Sequence, residues 1–229
     1  MLLKKKEQKT QNNIIQSFDN YKSFMSDFFE IFKIVKPNLN LFDSEHTNGK
    51  KLMLVLLGGD NDLKLHDYIS SKYKSGKENL DFYCLGKNGF ETFLGSGFNM
   101  LGYCNITNDI QESDLDDVWS YISGIKSGKY ENINICYLGQ NDEVIEFDLF
   151  PMCWLDIDYF SGRFGIDCSA QENNIQELCI WPGNNEVDVE VLTQYIQHIV
   201  YGIILEHRMH VCNYGSLVSL NILNKIATN

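Results

Sequence analysis

The residues best placed for chemistry are Gly58-Gly59-Asp60-Asn61, which follow an apolar run and precede a polar, helix-like stretch. A glycine turn between a buried strand and a helix can hold a phosphate on backbone N–H groups. This one lacks the third glycine of the dinucleotide fingerprint and the Gly-Lys-Ser/Thr of a P-loop. A tight strand-to-helix turn therefore outweighs a phosphate site. Ser75-Gly76-Lys77 and Ser127-Gly128-Lys129 look like P-loop fragments. Each follows a helical stretch, where a terminating glycine beside a lysine is the simpler reading. His207 and His210 are three apart on one predicted helix face, but zinc needs further ligands and none stands near them in sequence. Asp156-Ile157-Asp158 and Asp114, Asp116 and Asp117 read as solvated acid faces. With no GxSxG and no nucleophile–base pair, the residues do not argue for an enzyme.

Composition narrows the classes further. The formal net charge is −12 over 229 residues, so nucleic-acid binding, which needs a basic face, is not expected. The basic exception is Lys4, Lys5, Lys6 and Lys9, either a solvated helix end or a contact for an acidic protein. Seven scattered cysteines without a CxxC pair argue against a disulfide framework or a metal knuckle. No apolar run is long enough to span a bilayer, and no signal-type stretch follows the lysines. The expectation is a cytoplasmic protein.

The elements that position these residues begin with a seam. Ile14, Phe18, Tyr21, Met25, Phe28, Phe32 and Val35 recur in alternating steps of four and three, a heptad pattern on a helix from about Lys9 that Pro37 terminates. Residues 188–227 read as one more helix without proline, with Leu192, Ile196, Ile199 and Ile203 on its seam. The two ends predict an antiparallel coiled coil: a rod with a central knob. Between them, Leu52 to Leu57, Leu80 to Leu85, Phe98 to Asn105 and Ile133 to Leu138 read as strands. Asp62 to Lys74 and Ser113 to Lys126 read as helices, the latter with Ser113 as cap and Asp116 in the first turn. Val144 to Phe150, before Pro151, reads as an edge strand. Alternating strands and helices predict an α/β class with a Rossmann-like, mostly parallel sheet. The expected domains are residues 1–37, the central 38–185 and the C-terminal helix 186–229.

This order resembles the gamma (central stalk) subunit of F-type rotary ATPases. The matching residues are Leu57-Gly58-Gly59-Asp60-Asn61, then Leu85-Gly86-Lys87-Asn88-Gly89-Phe90 to Phe93, then Ser113 to Val118, Glu143 to Pro151 and Leu192 to Glu206. The family-motif turns are thus Gly58, Gly59 and Asn61, and Gly86, Lys87 and Gly89. The resemblance covers about 175 residues, from Leu52 onward. It implies a non-catalytic, cofactor-free rotor shaft that couples ATP hydrolysis or synthesis to rotation. It also implies alpha- and beta-like nucleotide-binding ring subunits and an epsilon-like small stalk subunit as partners, with membrane contact only through the complex. Lys4, Lys5, Lys6, Lys9, Asn221 and Lys225 become the implied contacts with the ring. Departures are present: Val55-Leu56 runs straight into the glycine turn, Tyr214-Gly215-Ser216 replaces the family's Ala-Arg-Met stretch, and the C-terminus stops roughly 20 residues early. These suggest a specialised paralogue, of the kind found among the F-type-like ATPases of mycoplasmas, some linked to gliding. Two alternatives remain: a stand-alone phosphate-ligand domain or enzyme using Gly58-Gly59, and a helical adaptor.

Overall fold

A computed structural model describes residues 2–35, 49–58, 62–75, 77–106, 110–139, 141–151, 154–165 and 185–227, with side chains outside this description in parts of the helices. The elements are α1 (Leu2–Val35), β1 (Lys51–Leu56), α2 (Asp62–Lys72), β2 (Leu80–Leu85), α3 (Lys87–Phe93) and β3 (Asn99–Cys104). They continue with α4 (Asp116–Ile122), β4 (Asn132–Leu138), β5 (Val144–Phe150), α5 (Trp154–Phe164) and α6 (Asn185–Ala227). The chain is α/β, with a five-stranded sheet in the order β3-β2-β1-β4-β5. All neighbours are parallel except β5, which runs antiparallel to β4 at the edge.

The strand sequences explain that order. Leu52 to Leu56 and Leu80 to Leu85 are buried at every position, as a parallel strand covered on both faces must be. Val144 to Phe147 are only half-buried, and their strand occupies the edge. Because side chains alternate faces, Met53, Val55, Phe82, Cys84 and Cys136 meet Leu65 and Ile69 of α2 and Phe93 of α3. Leu52, Leu54, Leu56, Ile133, Ile135 and Tyr137 look the other way. They share a core with Val118 and Ile122 of α4, Phe160 and Phe164 of α5, α6, and α1 through α6. Along Phe18–Phe29 and Leu192–Leu205, the terminal helices therefore belong to the same hydrophobic core as the sheet.

One local expectation is corrected. Ser113 does not cap a helix; it lies inside a 3-10 turn, Glu112–Leu115, and α4 begins only at Asp116. The cap is Gln111. Its side chain accepts the Asp114 N–H, while Asp114 Oδ2 accepts the Gln111 N–H at 2.8 Å. That reciprocal box satisfies two free donors where a serine alone would satisfy one. Among the described residues, no helix is long and apolar enough to cross a membrane.

Candidate functional site: the paired terminal helices and the strand-end glycines

The α1 seam packs on α6 at Tyr21 and Phe28. Ile14, Phe18, Tyr21, Met25 and Phe28 are buried, as are Leu192, Ile196, Ile199 and Ile203. The side chains of Phe32 and Val35 lie outside the described residues. Tyr21 lies against Gly202, and Phe28 stacks on Tyr195 with ring centroids 6.4 Å apart. Numbers rise on one helix as they fall on the other, so the pair is antiparallel. Tyr21 Oη donates to the His198 carbonyl at 2.9 Å. This fixes register where apolar packing alone would allow sliding. Phe29 stands outside the four-three spacing, yet it is buried edge-on against Tyr195.

Two further contacts tie the pair to the sheet. Phe164 of α5 meets Tyr21 edge-on at 5.6 Å. Arg163 donates through Nε and Nη2 to Glu206 Oε2 on α6, at 2.9 and 2.5 Å. Its guanidinium lies 5.5 Å from the rings of Tyr137 and Phe147, a charge placed over aromatic faces. Residues 154–182 gave no clear pattern in the sequence, so this anchor carried no signal there.

α6 carries two histidines in apolar surroundings. His198 sits between the Phe24 and Phe28 rings, at 4.7 and 5.2 Å, with Glu112 Oε1 3.5 Å from its Nδ1. Burial pushes its pKa down to about 4. His207 is pushed down to about 4 as well, by burial first and then by the neighbouring Arg208 and His210 charges. Both are neutral at pH 7. Among the described residues, no group of three or more His, Cys, Asp or Glu side chains could hold a metal. The side chains of Asp156 and Asp158 lie outside that set.

The glycine turns have packing reasons. Gly86 takes φ +131°, and a Cβ there would meet the Leu57 carbonyl oxygen at 2.4 Å. Leu57 N–H bonds to the Leu85 carbonyl between the ends of β1 and β2, and Gly86 N–H to the Cys104 carbonyl between the ends of β2 and β3, each at 2.9 Å. Gly89 lies within α3, and a Cβ there would overlap Leu57 Cδ1. Lys87 is the exposed first residue of α3. Gly58 is exposed at the end of β1, and its N–H reaches Asp62 Oδ1 at 3.4 Å. Gly59 and Asn61 lie outside the described residues. Lys9 is exposed on α1; the side chains of Lys4, Lys5, Lys6, Asn221 and Lys225 are outside the description.

Two polar clusters carry no local signature in the sequence. Asp81 is almost fully buried on β2 and accepts from Asn99 Nδ2 at 2.6 Å, Tyr130 Oη at 3.1 Å and Lys50 Nζ at 3.5 Å. It stands at the amino-terminal end of the strand, opposite the edge where open α/β sheets bind ligands. Glu146 of β5 accepts from Tyr73 at 2.5 Å, Lys72 at 2.7 Å and Tyr68 at 3.0 Å, all on α2. Burial works against its charge, yet the bonds from Lys72, Tyr73 and Tyr68 outweigh it and hold the carboxyl below its ordinary pKa. Glu146 is the polar position between Ile145 and Phe147; its partners are more than 70 residues away, which local patterning does not reveal. Cys84, Cys104 and Cys136 are free and buried, and burial pushes each thiol up to about 12. They behave as core side chains.

No protein-family model matches the chain, and no curated protein matches it. Solved structures similar to it include two from one assembly. One is a chain of the Euglena gracilis mitochondrial ATP synthase rotor in rotational state 1. It has 9% identity and a TM-score of 0.40, covering 96% of this chain and 95% of that one. The other is a chain from the OSCP/F1/c-ring assembly of the Euglena gracilis mitochondrial ATP synthase in rotational state 3. It has 10% identity and a TM-score of 0.33, covering 96% and 93%. Likeness at this level carries no argument about subunit or activity.

Proposed function

We propose that the chain is a gamma-like central shaft of an F-type-like rotary ATPase. The observation that carries this is the antiparallel pairing of its first and last helices, locked by the Tyr21–His198 bond and anchored to an α/β domain through Arg163–Glu206. α6 runs on from Arg208 to Ala227, roughly 28 Å at 1.5 Å per residue. That extension would be the part a ring of nucleotide-binding subunits grips. The ordered motifs Leu57 to Asn61 and Leu85 to Phe93 support the same reading, although Gly86 and Gly89 also have packing reasons.

In this reading the chain performs no catalysis. Hydrolysis in alpha- and beta-like subunits biases which face of the asymmetric helical pair they hold, and the pair turns. A small epsilon-like subunit completes the stalk, and the complex sits at the cytoplasmic face of a membrane. What a shaft needs is torsional stiffness, which the buried seam and its two anchors provide.

The test is purification of the tagged chain from native cells, with partners identified by mass. Nucleotide-binding ring subunits in stoichiometric amounts are expected. Repeated recovery of the chain without them overturns the proposal.

A further inference from the structure

The sheet has one topological switch point. From β1 the chain moves outward through β2 to β3, then returns to place β4 on the other side of β1. In open α/β sheets a crevice forms there, beyond the carboxyl ends of the two diverging strands, and ligands bind in it. Gly58 is the exposed residue leaving β1 at that crevice.

Arg208 reaches the same place from α6. Its Nη1 lies 4.0 Å from where a Gly58 Cβ would stand, so the missing side chain leaves room beside the guanidinium. Arg208 Nε is buried with no hydrogen-bond partner, and Arg208 forms no ion pair among the described residues. A guanidinium carries five donors and is always charged. Half-burying it without a partner among the described residues is unfavourable unless an anion completes it.

We propose that Arg208 and Gly58 form an anion site at the β1–β4 crevice, taking a small molecule that presents a phosphate group. The planar fork of Arg208 suits two phosphate oxygens. Among the described residues, Asp62 is the carboxylate that competes there: its Oδ1 holds the Gly58 N–H across a long 3.4 Å contact. The site is independent of the shaft reading, since it needs no ring subunit.

The experiment is calorimetric titration of the full chain with inorganic phosphate and with AMP at low salt. Saturable binding is expected, weakened at least tenfold in Arg208→Gln and partly kept in Arg208→Lys. Replacing Lys4, Lys5, Lys6 and Lys9 with Gln should leave it unchanged, because the site is not a general basic surface. Asp62→Asn should tighten it, which tests the site without touching Arg208 if Arg208→Gln fails to fold. Absence of saturable binding overturns the proposal. So does equal binding by a folded Arg208→Gln, loss of binding in the lysine variant, or no gain in Asp62→Asn.

Discussion

Tyr21 of α1 lies directly against Gly202 of α6: a Cβ on that glycine would stand 2.3 Å from the tyrosine oxygen. The same hydroxyl donates to the carbonyl of His198, one turn earlier on the helix. A glycine in mid-helix, otherwise a cost of about 1 kcal/mol relative to alanine, is thus the opening through which α1 reaches the α6 backbone.

Gly202→Ala should therefore destabilise the protein, although alanine is the better helix former. The overpacking cost of about 1–3 kcal/mol opposes a propensity gain of about 1 kcal/mol, and the expected net loss is up to about 2 kcal/mol. Tyr21→Phe should cost about 1 kcal/mol through the lost hydrogen bond. It should not rescue Gly202→Ala, because the ring carbon Cζ would still lie at 2.5 Å from the new Cβ. Urea denaturation of the two single variants and the double variant checks this.

The two motif glycines around Leu57 should respond differently to relief. Gly89→Ala collides chiefly with Leu57 Cδ1, so Leu57→Ala should cost less in the Gly89→Ala background than it does alone, although the Leu57 Cβ still stands 2.7 Å from the new one. Gly86→Ala collides with the Leu57 backbone at positive φ, and no side-chain truncation should recover it. Thermal midpoints of the three single and two double variants decide the matter, and equal relief at both positions would contradict the packing.

Stability should fall as pH drops from about 6.5 toward 4. His198 and His207 have folded pKa values depressed to about 4, so between those limits the unfolded chain binds protons that the folded chain does not. Their contribution is complete above the unfolded pKa and is lost as pH falls through the folded one. The loss approaches ~3 kcal/mol for each histidine. Glu146, held low by Lys72 and two tyrosines, adds a further loss in more acidic solution. Denaturant midpoints measured from pH 7.5 to 4 should show the slope, and His198→Phe should flatten it by about half.

Asp81 should be the most sensitive polar position. Asp81→Leu leaves the donors of Asn99, Tyr130 and Lys50 without their acceptor and should cost about 3 kcal/mol or more. Tyr130→Phe removes one donor and should cost about 1 kcal/mol. Equilibrium unfolding of both variants gives the comparison.

The sequence by itself determined the class and the elements other than α5. Continuous apolar runs at Leu52–Leu57 and Leu80–Leu85 marked strands covered on both faces, and a four-three spacing marked the buried stripe of α1. These are local patterns, set by side-chain period and backbone sterics. Edge placement of β5 was also legible, because Pro151 closes a strand with half-polar alternation. Only the tertiary structure decided what meets across the chain. Tyr21 finds Gly202, Glu146 finds the tyrosines of α2, Asp81 finds Tyr130, and Arg208 comes to stand beside Gly58. Each of these pairs joins residues dozens to nearly two hundred positions apart, and their meeting follows from strand order and helix register, which no single segment encodes. Gln111 shows the same limit at short range. Ser113 had the better capping residue type, but the extended backbone at Gln111 and its reciprocal bond with Asp114 set the start of the turn.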